Sequence, residues 1–392
     1  MPQFHGGMPV LIGGMVLDIH ATPSIPPERN STTPGKVDYI LGGVARNVAD
    51  CMSKLGTKSY MISAVGLDVA GNLLLEQWQS AGLPTDGIQQ GLDIKTATVC
   101  NMFDADGELE AGVASVESIE RCLTPEWIRQ FRSTISSAPV LMVDANLSPC
   151  ALEASCQMAT EYGIPVWFEP VSVAKSKRVA SVASYITFAS PNEHELVAMA
   201  KALSGRDVVH PTQRNCNTAK YSTESMIQML KPAILVLLEN GIKFVLVTVG
   251  SDGAFLCSSV GPGCMGERLY TAKFHGMGKE LFDVVTRNCP PKHYSCSTIY
   301  EKGSHLFVVH FPALPASVVR VSGAGDCMVG GILASLCSGL NVMQSVSVGV
   351  ASAKAAIQVE TNVPSAFSLA AISNDARVVF SSAKVVFQES AL

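Results

Sequence analysis

The sequence predicts an α/β fold: a doubly wound, mostly parallel sheet with helices on both faces, plus a small β lid. Two observations carry this. Short apolar runs alternate with helix-length stretches over most of the chain, and continuous apolar strands separated by helices indicate a parallel sheet covered on both sides. Two β-rich segments, residues 36–41 and 96–113, break that alternation with no helix between their parts.

In chain order, the buried-strand candidates are residues 10–19, 59–65, 140–144, 165–168, 185–189, 243–249 and 253–258. The helix candidates between them are 44–55, 68–80, 124–134, 152–162, 192–203 and 223–240, with a further helical run at 329–340. The odd β segments, taken as about 20–42 and 96–116, would form the lid within a single domain spanning 1–392. The second of them contains Asp104-Ala105-Asp106-Gly107, and Asp-Gly is a hairpin signal. Residues 204–222 and 260–304 are polar and read as surface excursions. There is no internal repeat and no low-complexity tract.

Composition narrows the function. The 392 residues are 47% hydrophobic, enough for a large core, and the net charge of -5 argues against a nucleic-acid or membrane-surface binder. The start MPQFHGGMPVLIGG lacks a basic region of the kind that opens a signal peptide, and no apolar run reaches the length of a bilayer span. The expectation is a soluble, intracellular protein. The 12 cysteines include no C-x-x-C pair and read as reduced core thiols. One cluster (Cys257, Cys264, His275, Cys289, His293, Cys296 and His305) has spacings that fit no zinc pattern.

Five motifs carry chemistry. Ser322-Gly323-Ala324-Gly325 lies where a loop becomes a helix. A helix N-terminus offers unpaired N–H groups and a positive dipole end, so these small residues would form an anion hole. Asp326, in the first turn, is then placed to take a proton from an attacking hydroxyl, although a first-turn aspartate is also ordinary helix-start chemistry. Gly42-Gly43 opens another helix, and Asn47 within it needs partners if buried. Asp18, expected at the carboxyl end of the first strand, could accept two sugar hydroxyls, or be a turn residue. Asn192 and Glu195 lie on one side of a helix's first turn and could serve nucleotide phosphates and a magnesium ion. The same pair resembles a capping box. Thr248, Gly250 and Gly253 mark a turn between two strands that could touch a nucleotide.

The order of these motifs resembles the ribokinase-like (PfkB) family of carbohydrate and nucleoside kinases, over about residues 9 to 375. The resemblance implies ATP and Mg2+ as cofactors and Asp326 as catalytic base. It implies Ser322 to Gly325 as the anion hole, and Asp18, Gly42, Gly43 and Asn47 around the sugar. Asn192, Thr248, Gly250 and Gly253 would line the nucleotide, with Glu195 at the metal. Within the family the chain looks most like the pseudouridine-kinase branch in its plant form. That likeness rests on Asn30-Ser31-x-x-Pro34-Gly35-Lys36-Val37, Gly42-Gly43-Val44-Ala45-Arg46-Asn47, Asp144-Ala145-Asn146-Leu147, Pro170-Val171-Ser172-x-x-Lys175 and His310-Phe311-Pro312-Ala313-Leu314-Pro315. The base would then meet polar groups such as Asn30, Ser31, Asn101 or Lys175. Many family members carry Asp-Thr near a monovalent cation where this chain has Arg320-Val321. A guanidinium there would repel potassium.

Two alternatives stay open: a kinase of another nucleoside or sugar (adenosine, ribose or fructose), and a catalytically inactive binding subunit. Adenosine would want an aromatic sandwich, and the lid strands offer only Tyr39 and Phe103. The intact Asp326 with its glycines argues against an inactive chain. The resemblance also implies a homodimer through the lid. The ending Ser390-Ala391-Leu392 resembles a peroxisomal address without its basic residue, so the peroxisome is the expected location and the cytoplasm the alternative.

Overall fold

The computed structural model describes residues 7–26, 30–104, 109–206, 208, 222–259, 278–290 and 306–388. Most of both polar inserts, the Ala105–Gly107 turn, several of the Cys and His in the zinc reading, and the C-terminal tripeptide lie outside them. Among the described residues no cluster of three or more His, Cys, Asp or Glu could hold a metal ion. No described helix is long and apolar enough to cross a membrane.

Fourteen strands are described: β1 Val10–Ile12, β2 Val16–Pro23, β3 Gly35–Gly42, β4 Tyr60–Gly66, β5 Ile88–Gly91, β6 Ala97–Phe103, β7 Leu109–Ser115, β8 Leu141–Asp144, β9 Val166–Glu169, β10 Phe188–Ala189, β11 Phe244–Thr248, β12 Ala254–Ser258, β13 Phe307–Phe311 and β14 Lys384–Gln388. Ten form one sheet in the order β14-β13-β12-β11-β10-β9-β8-β1-β4-β5, parallel from β5 to β11 and antiparallel beyond. Alternate residues feed two apolar layers. Leu11 packs on one face with Met52, Trp167 and Leu333, while Val10 and Ile12 pack on the other with Leu152, Leu196 and Ile234. This is the doubly wound arrangement expected.

The other four strands form the lid, ordered β3-β2-β6-β7. Its strands β3, β6 and β7 match the two odd segments, but β2 does not match its expected place. Residues 10–19 are not one strand. The chain leaves the main sheet at Gly13-Gly14, where a Cβ on Gly13 would lie 2.1 Å from Asp144 Oδ2, so the crossing requires a glycine. Asp18 therefore belongs to the lid rather than to a carboxyl end of the main sheet.

Other differences are local. The helix expected over 124–134 is two pieces, Pro125–Arg129 and Arg132–Ser137. Phe131 between them packs on Trp127 and Tyr60, with centroids 5.3 and 6.0 Å away, and its backbone leaves the helical region. The strand expected over 185–189 shortens to Phe188–Ala189, since Ala183–Tyr185 winds into a 3-10 turn. The insert 260–304 contains a helix, Lys279–Asn288, which buries Leu281 and Val285. Strands β5, β13 and β14 and the helices Val342–Ala356 and Leu369–Ser382 add to the elements read from the sequence.

Candidate active site

The carboxyl ends of the parallel strands converge where the lid is rooted, as expected for ligand sites in open α/β sheets. Asp144 ends β8 and is fully buried. Its carboxylate accepts from the N–H groups of Gly14 (2.9 Å), Ala45 (3.3 Å) and Asn146 (2.9 Å). One side chain thus pins the exit of β1, the start of the helix Val44–Lys54 and the loop after β8. Burial raises its pKa despite these donors.

Gly42 and Gly43 are required by packing. A Cβ on Gly42 would lie 2.2 Å from Asp18 Oδ2, and Gly43, at φ 94°, would bring one to 2.3 Å from the Gly14 carbonyl. The two glycines let Asp18 lie against the backbone that leads into the helix carrying Asn47. Asn362 completes this corner, its Nδ2 donating to Asp18 Oδ2 (3.0 Å) and to the Leu41 carbonyl (3.2 Å). Burial raises the Asp18 pKa, which Asn362 and the Arg46 charge oppose.

The two motifs farthest apart in sequence meet here. Asn47 Nδ2 donates to Asp326 Oδ2 at 2.7 Å across 279 residues. Asp326 lies in the first turn of the helix Ala324–Cys337, whose N-cap, Gly323, has φ 78°. A Cβ at Gly323 would sit 2.0 Å from the Asn362 carbonyl, whereas one at Gly325 would meet nothing within 4 Å. The Ala324 N–H turns back to the Val321 carbonyl (3.3 Å), and the Cys327 N–H bonds the Gly323 carbonyl (2.8 Å). The N–H groups of Gly323, Gly325 and Asp326 have no intrahelical acceptor and are the ones available to an anion. Ser322 is exposed beside them. Desolvation pushes the Asp326 pKa up to about 6, with Asp144 and Asp18 adding to the rise and Asn47 and Arg46 opposing it.

Two connected cavities flank this helix start. The larger, about 690 Å³, is mostly apolar and is lined by Thr248, Gly250, Gly253, Leu314 and Lys354 among others. Gly250 and Gly253 both adopt positive φ, and Gly253 also packs its backbone against β13. The smaller, about 370 Å³, is lined by Glu169, Ser190, Asn192, Glu195, Gly323 and Gly325. Thr248, Val321, Gly325 and Met328 belong to both. The two chambers thus meet beside the helix N-terminus, an apolar one on one side and a more polar one on the other.

Asn192 and Glu195 form the capping box and also face the smaller cavity. Asn192 Oδ1 accepts from the N–H groups of His194 and Glu195, and Glu195 Oε2 accepts from the Asn192 N–H, at 2.9–3.0 Å. That leaves Asn192 Nδ2 and Glu195 Oε1 for a ligand. Glu169, which the sequence reading missed, accepts from Ser190 Oγ at 2.5 Å. Burial raises its pKa strongly, and the charges of Asp326, Glu195 and Asp144 add to this. Glu169 and Glu195 supply oxygen donors in one chamber, which suits a hard divalent cation shared with phosphate oxygens.

The base-contacting candidates divide. Asn101 on β6 pairs in register with His20, which places it on the lid face that carries Asp18. Lys175 Nζ donates to Asn146 Oδ1 at 2.5 Å, and desolvation lowers its pKa. Asn30 and Ser31 are exposed on the connection between β2 and β3 and do not join the Asp326 cluster. Tyr39 is 64% exposed on the outer lid face, so it offers nothing to a purine beneath the lid. Arg320 lies with its guanidinium 5.5 Å from the Phe103 ring centroid and donates to His20 Nδ1, joining the loop before the anion hole to the lid. Burial and the Arg320 charge together hold the His20 pKa down. Besides Glu169, the sequence reading assigned no role to Asn362, whose E-T-N-V segment carries no distinctive spacing, and it used Asp144 only as part of the D-A-N-L likeness without giving it a role.

Comparison with known proteins supports the fold and the family. A pseudouridine kinase of Arabidopsis thaliana is 50% identical over 382 residues, covering 96% of this chain and 98% of that one. A pseudouridine kinase of Escherichia coli is 30% identical over 201 residues, which is 51% of this chain and 63% of the other. Among solved structures, Arabidopsis thaliana ribokinase complexed with ribose and ATP superposes with a TM-score of 0.68 over 95% of this chain and 99% of its own, at 18% identity. Thermotoga maritima ribokinase gives 0.65 over the same shares, also at 18%. The pfkB family carbohydrate kinase model matches residues 9–267 and 297–365, a span that includes Asp18, Asn47, Glu195 and Asp326, and the chain belongs to that family.

Proposed function

We propose that this chain transfers the γ-phosphate of ATP to the 5′-hydroxyl of pseudouridine. The observation that carries the chemistry is the hydrogen bond from Asn47 to Asp326 beside a helix N-terminus with free N–H groups. The substrate choice is supported by the identity to the Arabidopsis pseudouridine kinase along nearly its whole length.

The residues divide the work. ATP lies along the two cavities, its base in the apolar chamber near Gly250 and Gly253 and its phosphates toward Gly323 and Gly325. Asp18 and Asn47 orient the ribose, with Gly42 and Gly43 keeping the backbone close. Asp326 accepts the hydroxyl proton as the new O–P bond forms and the bond to the ADP oxygen breaks. Its pKa of about 6 keeps it ionised at neutral pH yet basic enough to take a proton. The N–H groups of Gly323, Gly325 and Asp326 stabilise charge on the transferring group. Mg2+ would be held by Glu195 and Glu169 together with the phosphates, where it would neutralise their charge. The outer lid face, with Val37, Tyr39, Met102 and Val113 exposed, supports a homodimer formed lid to lid.

A coupled assay with Mg-ATP across a nucleoside panel tests this reading. Pseudouridine should be turned over far better than uridine, cytidine, adenosine or ribose, because a site that pairs one base edge rejects analogues lacking it. Equal turnover of adenosine or ribose would end the substrate assignment and leave the kinase assignment standing.

A further inference from the structure

We propose that Arg46 is a positioning residue for phosphoryl transfer: its guanidinium dictates which way the Asn47 amide faces and, through that amide, how the Asp326 carboxylate is held. This rests on the reading of Asp326 as the base. Arg46 is buried, with 7% of its surface exposed. Nη1 donates to the Leu41 carbonyl and to Asn47 Oδ1, both at 2.8 Å, and Nη2 donates to Asp50 Oδ2 at 2.6 Å. A guanidinium has donors only. Asn47 must therefore turn Oδ1 toward Arg46, which leaves Nδ2 as the atom facing Asp326. Were the amide reversed, an oxygen would face the carboxylate.

An ion pair that merely stabilised the helix would need only Nη2 and Asp50, which Lys54 also reaches at 2.8 Å. The two bonds of Nη1 go elsewhere, one to the catalytic cluster and one to Leu41 at the root of the lid. Asn362 donates to the same Leu41 carbonyl and to Asp18. The lid root and the base thus share one guanidinium. Around Asp326 stand the carboxylates of Asp18 on β2, Asp144 on β8 and Glu169 on β9, with Arg46 as the basic group opposing them. Losing the Asn47 N–H leaves Asp326 among like charges with one donor fewer, and its proton should then be harder to remove.

The test is Arg46→Lys. It keeps a positive charge for Asp50, but one ammonium cannot serve three separated acceptors. We expect a folded protein with an unchanged KM for ATP and a kcat lower by roughly 10- to 100-fold, as for a small misplacement of a reacting group. The acid limb of kcat/KM should move above its wild-type position near pH 6. Adding Arg46→Lys to Asp326→Asn should cost nothing further, whereas a purely structural loss would add. A folded Arg46→Lys with wild-type kcat and acid limb, or full additivity in the double variant, overturns the proposal. Should Arg46→Lys not fold, Asn47→Ala keeps the Arg46–Asp50 pair and must itself move the acid limb upward; an unmoved limb overturns it. Asp326→Asn assayed alone separates the two claims: activity surviving that change ends the base assignment and with it this role, whereas activity lost there but intact in Arg46→Lys ends the role of Arg46 alone.

Discussion

A carboxylate at Asp326 opposes the fold that holds it. Its pKa rises from 3.8 to about 6 on folding, chiefly by desolvation. Between those values the native state keeps a proton that the unfolded chain releases, so stability falls as pH rises through the window and the loss is complete above about 6. Asp326→Asn removes the charge and retains an acceptor for Asn47. At pH 7.5 it should raise the melting temperature, by a stability gain on the order of 2 kcal/mol, and the gain should vanish near pH 4. The same variant should lose about 10²–10⁴-fold in kcat. Melting curves at the two pH values and turnover on pseudouridine check both halves. A second residue-scale expectation concerns Arg320. Its guanidinium is occupied by His20 and Phe103, and a fixed positive charge there should make activity indifferent to replacing potassium with a bulky organic cation. A saturable potassium requirement would contradict it.

At the scale of the element, the start of the helix Ala324–Cys337 sets two glycines apart, one packed against its neighbours and one open to the cavities. Gly323 holds a left-handed φ of 78° and abuts the Asn362 carbonyl at 2.0 Å from any added Cβ. Gly323→Ala should cost about 1–3 kcal/mol from conformational strain alone, visible as a lower denaturation midpoint. A Cβ on Gly325 meets no atom within 4 Å, yet this residue lines both cavities. Gly325→Ala should therefore melt at or above the wild-type temperature while KM for ATP rises and kcat falls. The sequence motif shows that these glycines matter but not that they matter differently, because the distinction comes from Asn362, a residue brought in from elsewhere in the chain. The box at Asn192 and Glu195 is a comparable case. Its spacing announces a cap, and only the structure reveals that both residues of the cap also line a cavity.

The whole molecule follows from alternation. The parallel core and most of the lid were legible, because apolar runs and turn signals report burial directly. Strand β2 was not, since the Gly13-Gly14 pair that breaks residues 10–19 does not by itself show that the chain crosses to a second sheet there. Asp326, Asn47 and the paired glycines were legible as compact motifs. Glu169, Asp144 and Asn362 were not, because each acquires its role from partners elsewhere in the chain, and the relay through Arg46 was not, because its local bonds gain meaning only where Asn47 meets Asp326 across 279 residues. The exposed outer face of the lid leads to a prediction at this scale. Light scattering should report a dimer, and Tyr39→Asp with Val113→Lys should convert it to monomer with the circular dichroism spectrum unchanged. A wild-type monomer at micromolar concentration would refute lid pairing.

The bond between Asn47 and Asp326 joins two segments of the polypeptide 279 residues apart. During synthesis, strands β1 to β12 can emerge and begin to pair while Asp326 has yet to be made. Distant contacts also close late and slowly because of the loop entropy they must overcome. Refolding chains should regain the buried environment of Trp167, stacked on Phe188, before they regain turnover. Catalysis would then report the last step of assembly, and a truncated or stalled chain would be compact and silent rather than weakly active.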